Sequence, residues 1–113
     1  MKRFDNTCVA ILGGTAGIGL AAARMFAAEG AKLAITGRNT DALRAIAEEL
    51  DALCIRSDMG ILSDTENALN DTEEALGGID VLFVNAGVGG FAMVPDVTPE
   101  FWDDIHTVNL RGA

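Results

Sequence analysis

A chain of 113 residues, half of them hydrophobic and with a mean hydropathy of +0.28, is long enough for one hydrophobic core and too apolar to stay disordered. Its 8 basic and 17 acidic residues leave a formal charge of −9, which repels polyanions and argues against a nucleic-acid partner. No run approaches the roughly 18 uncharged apolar residues of a membrane span, and the opening MKRFDNTC lacks the apolar core of a signal peptide; a soluble, cytoplasmic protein with no membrane partner is expected.

In chain order, CVAIL (8–12) reads as a first strand, and GGTAGIG then opens an alanine-rich helix. KLAIT (32–36) reads as the second strand, followed by a helix with Thr40 as N-cap and Leu43, Ile46, Ala47 and Leu50 on one face. After a third strand at ALCI (52–55), Ser63 and Glu66 have capping-box spacing, Leu69, Thr72 and Leu76 make a stripe, and Gly77-Gly78 ends the helix. DVLFV (80–84) is the fourth strand. A last helix takes Thr98 as cap and Pro99 as first residue, with Phe101, Ile105 and Val108 on one face. None of the four apolar runs alternates inward and outward, so all four are expected to be buried on both faces. The β-α alternation implies a parallel sheet with right-handed crossovers. With no repeat, low-complexity tract or linker, residues 1–113 form a single domain.

Cys8 and Cys54 each sit in an apolar run and read as small, reduced, buried hydrophobes. With His106 as the sole histidine and no CxxC pair, a zinc site lacks ligands.

The chemistry is concentrated in the loop after the first strand. Gly13 permits a tight turn, Gly17 lets the backbone approach a pyrophosphate, and Gly19 lets the helix pack close to the strand. Amides at the helix start face the anion. The alternative is a loop whose glycines serve packing alone. A buried strand before it, a helix after it and a second strand ending roughly 20 residues on favour dinucleotide binding. At that strand's end, Thr36-Gly37-Arg38-Asn39 has no acid for ribose hydroxyls, and Arg38 can pair with a 2′-phosphate, so NADP is favoured over NAD. The competing role for Arg38 is a solvated loop cation.

GGTAGIG, ITGRN, SDM, VNAG and VNLRG, in that order and spacing, resemble the N-terminal, cofactor-binding half of the short-chain dehydrogenases/reductases over nearly the whole chain. The resemblance implies an α/β fold: a Rossmann-type doubly wound parallel sheet, here about four strands in the order 3-2-1-4. It also implies an NAD(P)-dependent oxidoreductase. By position it places Gly13, Thr15, Ala16, Gly17, Ile18, Gly19 and Arg38 at the cofactor, Asp58 at the adenine amino group with Met59 beside it, and Asn85, Ala86 and Gly87 along the ribose. Asn109 matches the family's helix asparagine, part of a proton relay.

Leu12 and Val84 stand where the family usually has threonine and asparagine, so polar ties between those strands are expected to give way partly to packing. The family's catalytic Ser and Tyr-x-x-x-Lys have no counterpart here. The chain has no tyrosine, and its lysines are Lys2 and Lys32. His106, three residues from Asn109, reads as a solvated helix histidine rather than a substitute acid.

Three functions follow: a dinucleotide-binding module that is not self-sufficient in hydride transfer, an oxidoreductase half completed by further chain or a partner, and a structural or regulatory protein whose loop is a relic. FAD, which shares the adenosine diphosphate half, ranks below NADP and NAD. A homodimer through the fourth strand or last helix is also expected, because the strand would be an unpaired edge and the helix would expose some of Phe101, Trp102, Ile105 and Val108.

Overall fold

The four apolar runs form strands β1 (Cys8–Leu12), β2 (Lys32–Gly37), β3 (Leu53–Arg56) and β4 (Val81–Val84) in a computed structural model that describes residues 2–87 and 92–113. All pairings are parallel and the order is β3-β2-β1-β4. Between and after them lie α1 (Gly17–Ala28), α2 (Thr40–Leu50), α3 (Leu62–Leu76) and α4 (Pro99–His106), the last running into a wider π turn at Thr107–Arg111.

Register decides which side chains share a face. Ile11 is level with Ile35 on one side and Phe83 on the other, so odd-numbered residues of β1, β2 and β4 point the same way. Val9, Ile11, Leu33 and Ile35 form the core there with Ala23 of α1 and Leu43 and Ile46 of α2. The opposite face of the central strands is narrower, with Ala10 and Ala34, and receives α3. Cys8 Sγ donates to the Leu76 carbonyl at 3.4 Å, and the inward residues of α3 are Ala68 and Thr72. Both cysteines are free thiols. Cys8 is buried and Cys54 partly so, and burial pushes the Cys54 thiol up.

Burial on both faces holds for β1 and β2 but not for the outer strands. β3 is half-buried, and β4 alternates: Val81 and Phe83 pack against the core while Leu82 and Val84 are 46 % and 42 % exposed. A strand with one neighbour and one covered face keeps its other face open.

Two helix starts differ from the sequence expectation. Asn39, not Thr40, is the N-cap of α2, its side-chain oxygen accepting from the Ala42 N–H at 3.1 Å. In α3, Ile61 is the N-cap and no side chain caps, so Ser63 and Glu66 make no capping box. First-turn Asp64 instead accepts the Asp58 N–H at 3.0 Å, tying the helix to the turn after β3. The buried stripe of α3 centres on Ala68 and Thr72, with Leu69 and Leu76 half-buried, and Gly77 ends the helix at φ +85°. Thr98 does cap α4, accepting the Phe101 N–H at 3.1 Å, and Pro99 is the first helical residue. Of the four α4-region side chains of which some were expected to be exposed, Trp102 is. Phe101, Ile105 and Val108 are half-buried along a groove shared with Arg38 and Asp58. Among the described residues no helix is long and apolar enough to cross a membrane.

Candidate cofactor site

The loop after β1 is pinned from both neighbouring strands. On the β2 side the Thr36 carbonyl accepts the Gly13 and Gly14 N–H groups at 3.1 and 3.0 Å, and Thr36 Oγ1 lies 3.3 Å from the Gly13 nitrogen. On the β4 side the Leu12 carbonyl accepts the Asn85 and Ala86 N–H groups at 3.0 and 2.7 Å, and Asn85 Nδ2 donates to the Gly13 carbonyl at 2.9 Å. Thr36 and Asn85 thus give the loop polar ties on both sides, beside Leu12, which is buried, and Val84, which is 42 % exposed. Gly13 has φ +91°, and a Cβ there would sit 2.6 Å from Ala86 Cα, so no other residue fits. A Cβ on Gly19 would strike the Gly13 carbonyl, so the first turn of α1 rests directly on the loop.

That first turn differs from those of the other helices. Its N-cap, Ala16, offers no side-chain acceptor, and the turn holds no acid, whereas α2, α3 and α4 carry Asp41, Asp64 and Glu100 there. Gly17, at φ +57°, has open space where a side chain would stand. The positive end of the helix dipole therefore has neither a capping side chain nor a first-turn acid beside it among the described residues.

A cleft of about 240 Å³ runs from this loop across the strand ends. Gly13, Thr15 and Ala16 form one wall. Gly37 and Arg38 follow β2, Asp58 and Met59 follow β3, and Asn85, Ala86 and Gly87 follow β4. Nine expected site residues from four separate stretches therefore meet. Gly17, Ile18 and Gly19 do not line the cleft: they are the turn above it, with Gly19 buried and Ile18 exposed. Asn109 lies in the π turn, its Oδ1 3.2 Å from where a Gly87 Cβ would be, at the cleft's edge rather than in its lining. His106 stacks on Trp102, centroids 4.2 Å apart, with Nδ1 2.9 Å from the Trp102 carbonyl, and lines neither this cleft nor the groove beside it.

Sequence reasoning passed over Thr36, Ser57 and Val108 as lining residues. A polar residue closing the apolar run KLAIT was the available signal for Thr36. Nothing local marks Val108, which arrives from the far end of the chain. Arg38 is exposed and belongs to neither ion pair among the described residues, Arg3–Glu29 and Arg24–Glu49. Asp58 Oδ1 accepts the Gly60 N–H at 2.8 Å, which fixes the carboxylate's direction in the turn.

The family model described as short chain dehydrogenase matches residues 7–113. The chain belongs to the short-chain dehydrogenase family. Among short-chain dehydrogenase relatives, it is 34% identical over 115 residues to the NADP-dependent (R)-specific alcohol dehydrogenase of Lentilactobacillus kefiri, covering 98% of this chain and 46% of that one. It is 36% identical over 114 residues to meso-2,3-butanediol dehydrogenase of Serratia marcescens, covering 98% and 45%. A solved short chain dehydrogenase from Burkholderia cenocepacia J2315, in complex with NADP, superposes with a TM-score of 0.94 at 31% identity, covering 97% of this chain and 47% of that one. The chain spans just under half the length of these relatives.

Proposed function

We propose that these residues bind NADP(H). The observation that supports this best is the cleft itself, which gathers an uncapped helix start, an arginine in neither ion pair among the described residues and a strand end without an acid, in a member of a family with an NADP-bound structure. In this reading the amides of Gly17, Ile18 and Gly19 hold the pyrophosphate, with Gly13, Thr15 and Ala16 as the loop beneath it. Arg38 pairs with the 2′-phosphate, Asp58 accepts from the adenine amino group beside Met59, and Asn85, Ala86 and Gly87 support the ribose. Hydride exchange is the chemistry that NADP(H) supplies when bound, and this supports an oxidoreductase role for the protein to which these residues contribute. In the same reading Asn109, at the cleft's edge, takes part in a proton relay.

The 113 residues contain no tyrosine, and Lys2 and Lys32 are not in the cleft lining. On their own they bind without reducing ordinary ketones or aldehydes, for want of a general acid. Two free cysteines in apolar surroundings suit a reducing, cytoplasmic setting. The open face of β4 supports self-association as a homodimer.

Calorimetric titration tests the cofactor. NADP is expected to bind more tightly than NAD, and Arg38→Ala to cost NADP about 1.5–3 kcal/mol, the range for a hydrogen bond to a charged group, with little effect on NAD. Equal binding of the two dinucleotides, unaffected by Arg38→Ala, would remove the assignment. A flavin spectrum on the purified protein would redirect it to FAD, and NADPH consumption with simple ketones above background would show that an acid had been overlooked.

A further inference from the structure

The end of β2 and the glycine loop meet at a single side chain. A Cβ on Gly37 would fall against Thr15 Cγ2, closer than non-bonded carbons approach, with Thr15 Oγ1 at 3.3 Å and Thr15 Cβ at 3.5 Å. Both backbones are held. The loop hangs on the Thr36 carbonyl through Gly13 and Gly14 and on Asn85 Nδ2 through the Gly13 carbonyl. Gly37 is in register with Arg56, and its carbonyl accepts the Ser57 N–H at 2.9 Å. Gly37 does not have a left-handed φ, so a side chain is barred there by Thr15 and not by backbone strain. Relief has to come from Thr15, whose β-branched side chain has few rotamers.

Position 37 matters because a carboxylate at the end of the second strand accepts from free ribose hydroxyls and repels a 2′-phosphate. We propose that Thr15 is a specificity-determining residue: its methyl group fills the space through which an acidic side chain at position 37 would leave the backbone. Exclusion of NAD-type recognition is therefore built into the loop as well as into the strand end. This inference rests on the dinucleotide reading of the cleft. It also implies a remedy. In Thr15→Ala the remaining Cβ would stand 3.5 Å from a Cβ at position 37, an ordinary van der Waals contact.

A double-mutant cycle on the full chain tests it. Gly37→Asp, Thr15→Ala and the pair are titrated with NAD and NADP, and Gly37→Ala is melted with and without Thr15→Ala. Gly37→Asp alone is expected to lose at least about tenfold in NADP affinity without binding NAD more tightly, and adding Thr15→Ala to tighten NAD by about tenfold or more over Gly37→Asp. Gly37→Ala is expected to lower Tm by about 4 °C or more, and adding Thr15→Ala to recover most of the loss. The inference is overturned if Gly37→Asp alone binds NAD as tightly as the double variant, or if Gly37→Ala melts equally low in both backgrounds. Failure of the unchanged protein to bind either dinucleotide would instead sink the cofactor reading, and the specificity role with it, while the melting cycle still reports whether Thr15 blocks position 37.

Discussion

Asn85 and Thr36 grip the glycine loop from opposite sides, and their bonds differ in what is left behind when they are removed. Asn85 Nδ2 donates to the Gly13 carbonyl at 2.9 Å, so Asn85→Ala takes from that oxygen its side-chain donor among the described residues. Thr36 Oγ1 only shares the Gly13 N–H with the Thr36 carbonyl, so in Thr36→Val the N–H keeps a bond at 3.1 Å. Denaturant unfolding is expected to show a loss of about 1–2 kcal/mol for Asn85→Ala and no more than about 0.5 kcal/mol for Thr36→Val, since an orphaned group costs more than a redundant bond. Asn85 was legible in the sequence as part of the NAG turn. Its bond across to Gly13 was not, because the two residues are joined by a strand pairing and not by local spacing.

At the level of elements, what local chemistry decides was readable. Thr98 followed by proline starts α4, and Gly77 ends α3 with a left-handed φ that favours glycine. Where two adjacent residues could do the same job, distant structure decided. Asn39 and Thr40 both carry capping oxygens, and Asn39 takes the role because the helix begins immediately after it. Asn39→Ala is therefore expected to lower stability by about 1 kcal/mol, while Ser63→Ala leaves it within about 0.5 kcal/mol, as for an ordinary surface change. The reverse order in thermal melts would restore the capping box. The edge position of β4 was legible in the expected strand order, but the exposure of Leu82 and Val84 was not, because an apolar run says that side chains are suited to burial and not whether anything covers them.

On the scale of the whole molecule, the cleft was legible in outline because its glycines, Arg38, Asp58 and the NAG turn all fall at strand ends that a parallel sheet brings to one side. Its far wall was not, since Val108 depends on how the last helix turns back. Phe101, Ile105 and Val108 pack toward the β2 and β3 exits and leave the open face of β4 uncovered. Leu82, Val84, Trp102 and Leu110 all stay substantially exposed, and an edge strand with an apolar open face is a template for a second chain. The proposed homodimer predicts twice the 11.8 kDa chain mass at micromolar concentration. Sedimentation equilibrium is the suitable measurement, because a body of 54 × 24 × 24 Å carries enough shape asymmetry to confuse sedimentation rate with mass. A mass that stays at one chain would rule the dimer out.

The bond between Asn85 and Gly13 closes a loop 72 residues long, across three crossovers. During synthesis the glycine loop emerges before its second anchor, which arrives only after β2, β3 and their helices have been made. A molecule that fills the cleft touches β1, β2, β3 and β4 exits together, so it selects the fully assembled sheet over every partly assembled one. At a hundred times its Kd, such a ligand would favour the native state by about 2.7 kcal/mol. The cofactor's cellular concentration would then govern how long an opened chain persists, making supply of the dinucleotide a control on the protein's lifetime.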